Sequence, residues 1–140
     1  MNDNLEKAIG SGIMFPIQLT KSNGLVTCQP VSGDVDLIKQ NLTSILVHQI
    51  GQRLRQENFG TRINECIEEP NDQAMLFLIR RYIVDSISSW EPRLKRVSVE
   101  TTQEREFIHI KLNYSVDQSQ SAESLDFDYN NQTGEIYGSI

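Results

Sequence analysis

Cysteine and histidine are scarce in this 140-residue chain, at two each, and proline appears only four times. Cys28 and Cys66 stand alone, with no CxxC pair and no histidine at ligand spacing, so the usual zinc-site patterns are excluded and no metal is expected. Two buried thiols in a reducing compartment are expected instead. The chain has no Walker-type or GxGxxG glycine pattern and no GxSxG elbow. Nothing therefore cradles a phosphate or raises a nucleophilic serine, and no cofactor is expected. No apolar run is long enough to span a bilayer. The opening Met1-Asn2-Asp3-Asn4-Leu5-Glu6 lacks the basic start and apolar stretch of a signal peptide. Synthesis and folding in a cytoplasm, without direct membrane contact, are expected. Basic residues are in deficit: Lys and Arg number 13 against 19 Asp and Glu, for a net charge of -6. A phosphate backbone needs a basic surface, so nucleic acid is not an expected partner.

What is present suits a folded domain, with 38% hydrophobic and 23% charged residues. The length fits one core, which needs neither metal nor disulfide staples. The predicted organisation is a flexible leader over 1–11 and one domain over 12–140, of which 117–140 is a C-terminal extension.

Phe15, Ile17 and Leu19 alternate with polar residues and predict a strand over 13–19, held to an edge by Pro16. Lys21-Ser22-Asn23-Gly24 predicts a turn, and 25–28 the returning strand. A first helix follows, capped by Asp34, with Ile38, Leu42, Ile45, Leu46 and Gln49 on one face and an end at Gly51. His48 falls near its C-terminus. Residues 51–70 form a charged loop in which Arg53, Arg55 and Arg62 interleave with Leu54, Phe59 and Ile63, a pattern that suits docking better than mere solvation. A second helix is capped by Asn71 or Asp72 and carries a stripe of Met75, Leu76, Ile79, Tyr82, Ile83, Ile87 and Trp90. Pro92 ends it near Trp90. Beyond Pro92 the period becomes two. Leu94, Val97 and Val99 start one strand, 103–106 turns, and Ile108, Ile110, Leu112, Tyr114 and Val116 alternate along the next with His109 on its wet face. Asp117 to Glu123 predicts a polar loop, and Leu125, Phe127 and Tyr129, then Ile136 and Tyr137, predict two short final strands. The order strands, helix, helix, strands predicts an α+β fold with two helices packed on a small antiparallel sheet.

Chemistry is thin. Glu65, Glu68, Glu69 and Glu91 are the only carboxylate cluster that could suggest glycosidase work, and acids this frequent cluster by chance. Glu91 and Arg93 flank a proline that fixes the backbone. They present one acid and one guanidinium to a partner, or they pair locally to tie the helix end to the sheet.

The ordered set Gly12 with Phe15-Pro16, Asn23-Gly24, Gly51-Gln52-Arg53-Leu54-Arg55, Phe59-Gly60-Thr61-Arg62, Glu69-Pro70-Asn71-Asp72 and Trp90-Glu91-Pro92-Arg93 completes the picture. With Val97 and Val99, Ile108 and Ile110, and Tyr114 and Val116, it resembles the baseplate wedge family of contractile tails. That family includes the sheath-initiating wedge protein of T-even phages and occurs in extracellular injection particles and type VI secretion baseplates. The resemblance implies a non-enzymatic baseplate component, made in the bacterial cytoplasm, with a fold similar to the sheath's interlocking domain. It implies several copies in a ring beside the tail tube or spike hub, docked to other wedge proteins and templating sheath subunits by strand addition. It carries the contact role to Glu91, Pro92 and Arg93, beside the candidate Arg53, Arg55 and Arg62. Because members are sometimes labelled tail lysozymes, a peptidoglycan-degrading enzyme is the alternative, and a generic adaptor outside any tail is a third reading.

Overall fold

Leu37, Ile38, Leu42, Ile45 and Leu46 recur at helical spacing, and all five are buried on one face of α1 (Val35–Val47). The computed structural model describes residues 10–13, 16–32, 35–66, 72–116 and 122–138. Asp34, the expected cap of α1, lies outside them, as do Asn71 and the expected loop residues 117–121. The helix α2 (Gln73–Trp90) starts where Asp72 accepts a hydrogen bond from the Met75 N–H at 3.0 Å. Met75, Leu76, Ile79, Ile83 and Ile87 form its buried stripe, while Tyr82 and Trp90 are half-buried at the stripe's borders.

Helix α1 ends four residues before Gly51, earlier than the sequence predicts. The backbone of 48–50 is engaged elsewhere: Thr61 donates to the His48 carbonyl at 2.9 Å, and Ile50 donates to the Thr61 carbonyl at 3.2 Å. A single 3-10 turn, Ile63–Cys66, then buries Ile63 and Cys66 within the predicted loop.

The main sheet is an antiparallel meander of β5 (Leu94–Glu104), β6 (Phe107–Val116), β7 (Ala122–Asn130) and β8 (Ile136–Gly138), in that order. Strand β5 runs to Glu104, so the turn narrows to Arg105 and Glu106, with Arg105 at φ 55°. Ala122 and Glu123, expected in a loop, belong to β7. The alternation in β6 is complete: Ile108, Ile110, Leu112, Tyr114 and Val116 are all buried beneath the helices. Burial pushes the phenols of Tyr114 and Tyr129 up to about 12. Lys39 of α1 reaches to 3.8 Å from Glu123 of β7, tying helix to sheet. The α+β class with two helices on an antiparallel sheet is the observed one.

The N-terminal strands do not join that sheet. Strand β1 (Ser11–Ile13) pairs with β4 (Pro30–Ser32), and β2 (Leu19–Ser22) pairs with β3 (Leu25–Cys28) across a two-residue turn, Asn23 at φ 50° and Gly24 at φ 80°. Gln29 donates to the Gln18 carbonyl at 3.0 Å between the two ribbons, so they form one hairpin arm. The strand expected over 13–19 is broken, because β1 stops at Ile13, Pro16 sits in a bend and β2 begins only at Leu19. Phe15 and residues 1–9 of the expected leader lie outside the described residues; Ser11, placed in that leader, opens β1. Every residue from 16 to 30 is exposed. Cys28 is therefore an exposed thiol, against the expectation of two buried ones; Cys66 is buried. At the arm's base, a side chain at Gly12 would come within 3.0 Å of the Leu37 methyls, which fixes a close approach to α1.

Candidate functional site

The turn that ends α2 is built around a buried carboxylate. Glu91 takes φ -129° and ψ 73° as the C-cap, its N–H donating to the Ile87 carbonyl at 2.8 Å. Its side chain is only 3% exposed, against 28% for Arg93. The guanidinium meets the carboxylate fork to fork: Nε donates to Oε1, and Nη2 donates to Oε2 at 2.6 Å. Asn41 of α1 adds a longer contact to Oε2 at 3.4 Å. The Glu91 carboxylate raises the Arg93 pKa further, against the lowering effect of burial. The pair thus joins α2, the first residues before β5 and α1. Of the two readings left open by the sequence, the local tie is present in the structure, and the exposed Pro92 forms its outer surface.

Arg53 reaches the same region from the loop. Its guanidinium lies 3.7 Å from the centroid of the Phe59 ring and donates to Gln56 at 3.2 Å and Ser44 at 3.4 Å. Phe59 stands edge-on to Trp90, with centroids 5.0 Å apart, and edge-on to His48 at 5.6 Å. Trp90 donates its indole N–H to the Asn58 carbonyl at 3.2 Å, and His48 donates from Nδ1 to the Ser44 carbonyl at 2.7 Å. Arg53, Phe59 and Trp90 therefore link the arginine loop to the Glu91–Arg93 turn. Gly60 makes this packing possible. It sits at φ 115°, and a Cβ there would fall 2.3 Å from the His48 carbonyl oxygen.

The other two arginines differ. Arg62 binds Glu65 through two bonds of 2.8 Å on the surface and lies 5.3 Å from the Tyr82 ring. That contact holds the Glu65 carboxyl below its ordinary range. Arg55 is exposed, and its neighbour Leu54 is 98% exposed. A groove of about 490 Å³ opens between loop and helix, lined by Ile50, Arg62, Leu78, Tyr82 and Trp90, with the Arg81–Asp85 pair on its wall. The interleaved loop pattern thus divides. Phe59 and Ile63 are core, and Leu54 alone of the three apolar residues faces outward.

Both described carboxylates of the enzyme reading are engaged by arginines; Glu68 and Glu69 lie outside the described residues. A lowered Glu65 is opposite to what a glycosidase acid requires. On the sheet's wet face, His109 bonds Asp128 through Nδ1 and lies 3.6 Å from Glu104, beside a depression of about 300 Å³. Among the described residues no group of three or more His, Cys, Asp or Glu side chains is arranged to hold a metal ion. No helix of the described residues is long and apolar enough to cross a membrane. Sequence reasoning missed Asn41, the backbone demand at Gly60, and the groove. Only Gly60 left a signal, in the Phe59-Gly60 string.

The fold is a helix pair on an antiparallel meander, with a clamped turn and an open groove. Residues 32–121 match the family described as baseplate wedge protein gp25, and the chain belongs to that family. It is thus a structural component of contractile-tail baseplates. No match was found among curated proteins. Among solved structures, a protein from Geobacter sulfurreducens provisionally called a tail lysozyme is 21% identical, with TM-score 0.63 over 68% of this chain and 88% of its own. A chain of the type VI secretion baseplate complex is 17% identical, with TM-score 0.60 over 71% of this chain and 94% of its own. A chain of the 6-fold symmetrised anti-feeding prophage (AFP) baseplate is 21% identical, with TM-score 0.54 over 92% of this chain and 91% of its own. These likenesses show a shared fold. The last covers too much of this chain to leave out the whole arm, nearly all of which precedes the family match.

Proposed function

We propose that the chain docks to other baseplate wedge proteins and templates the first sheath ring by accepting extended strands from sheath subunits. The observation that carries this reading is the four-stranded sheet whose outermost strand, β5, is 11 residues long and pairs on one side only among the described residues. An open edge supplies backbone hydrogen bonds to any extended segment, while alternating side chains fix its register. The 6-fold symmetrised baseplate neighbour supports several copies in a ring. In this reading they sit beside the tail tube or spike hub, in a particle assembled from the bacterial cytoplasm. Nucleic acid and membrane have no part in it.

Docking is assigned to the two linked surfaces. Pro92, Arg55 and Arg62 are exposed, Arg62 held by Glu65; Arg93 is half-buried in the Glu91 carboxylate fork, and Arg53 packs on Phe59 beside that turn. Leu54→Ser with Arg55→Glu should leave the fold unchanged and reduce co-purification with other wedge proteins at least roughly tenfold, as loss of an interface anchor does. Undiminished co-purification would remove the loop from the docking surface. The name of the Geobacter neighbour favours a muralytic alternative. A peptidoglycan-release signal that disappears in Glu65→Gln would establish it.

A further inference from the structure

The sheet has two outer edges, and they are unequal. On one side β8 covers only Phe127, Asp128 and Tyr129 of β7, and Lys39 of α1 reaches Glu123 farther along that strand. On the other side β5 pairs inward with β6 along its whole length, broken only between Lys95 and Ser98. Arg96, at φ 52°, lies in that break. The break is a bulge, and bulges with exposed bases blunt an edge. From Ser98 to Glu104 the ladder is regular, seven residues spanning about 23 Å.

The backbone of this regular half is directed by its turn. The two-residue loop Arg105–Glu106 makes Glu104 and Phe107 a hydrogen-bonded pair, and alternation leaves the N–H and C=O groups of Val99, Thr101 and Gln103 aimed at the open edge. On the helix side of the sheet, Val97 and Val99 are only partly buried against the core, whereas the corresponding β6 residues are fully covered. The Thr101 hydroxyl is out of solvent and makes no hydrogen bond. An added strand would cover the valines and bring polar backbone to this stretch.

The wet face specifies the charge of that strand. Glu100 and Glu104 lie four residues apart on one row, both exposed. Each has a cross-strand neighbour inside the sheet, Lys111 or Phe107, and none among the described residues on the edge side. Glu100 accepts a long 3.4 Å bond from Asn113, and Glu104 lies 3.6 Å from His109.

We infer that Ser98–Glu104 is the edge that receives the incoming sheath segment, and that this segment carries basic side chains four residues apart opposite Glu100 and Glu104. Small apolar residues alternate with them to cover Val99 and Thr101. The inference rests on the strand-addition reading above. Its test uses assembling particles with a photocrosslinking phenylalanine analogue placed at Thr102 on β5, or at Tyr137 on β8. Sheath protein captured from position 102 and not from 137 is the expected result. Capture from 137 at or above the level from 102 overturns the edge assignment and leaves strand addition standing. Capture from neither overturns both. Independently, Glu100→Lys with Glu104→Lys should lower the fraction of sheathed tubes roughly fivefold to tenfold, as two reversed cross-strand pairs imply, with Glu100→Gln and Glu104→Gln in between. A fraction within about twofold of the unmodified chain contradicts the basic strand.

Discussion

Strand β6 and the hairpin arm are written with the same period and end in opposite environments. In β6 five alternating apolar residues are all buried, whereas in the arm Ile17, Leu19 and Val26 are 53, 65 and 59% exposed. Alternation specifies an extended backbone with two distinct faces; burial needs a second layer, and α1 and α2 supply one only to the main sheet. An isolated two-stranded ribbon is marginal in water. The arm's conformation therefore depends on its Asn23–Gly24 turn and on the close approach of Gly12 to Leu37. One region is held by its own core, and the other leaves its apolar side chains exposed.

Substitutions should separate the two regions by size of effect. Gly60→Ala forces a Cβ onto the His48 carbonyl at a positive φ, and should cost about 3 kcal/mol or more in denaturant unfolding. Arg93→Ala strands the buried Glu91 carboxylate. Because Arg93 is partly exposed, the cost should be about 2–3 kcal/mol, below the range for a fully enclosed pair. Arg93→Lys should recover only part of it, since an ammonium cannot fork.

A smaller effect is expected on the wet face of the sheet. The hydrogen bond from His109 to Asp128 raises the His109 pKa, with burial opposing and Asp128 and Glu104 adding charge attraction. A raised folded value means that this stabilisation is complete below about pH 6.5 and is lost as pH climbs through the folded pKa. For so exposed a pair the total is at most about 1 kcal/mol, and His109→Gln should flatten the stability profile across that window. Leu19→Ser with Val26→Ser in the arm should change stability least, by less than about 0.5 kcal/mol, because neither side chain packs on the core. A loss as large as that from Arg93→Ala would show that the arm belongs energetically to the body.

Both helices, the second one's cap at Asn71 or Asp72, and the strands of the meander were legible because their periods and their punctuation by Asp72 and Pro92 agree. The helix stop at Val47 was not, because it depends on a long-range pairing of 48–50 with Thr61 that leaves no local mark. At the candidate site, Glu91 and Arg93 were found by their string, but their burial and the Asn41 contact required knowing that α1 passes beside the turn. Arg53 illustrates the same limit. Alternation with apolar residues suggested an outward surface, whereas its guanidinium folds back onto Phe59. Cys28 was misplaced because burial was expected from a reducing compartment, which says nothing about whether a second layer covers its strand.

The central claim is that this chain is a structural member of the baseplate on which the sheath begins. Electron microscopy of particles assembled without it tests that claim most directly. Tubes lacking attached sheath are the predicted result, and normally sheathed, contractile particles would contradict the account.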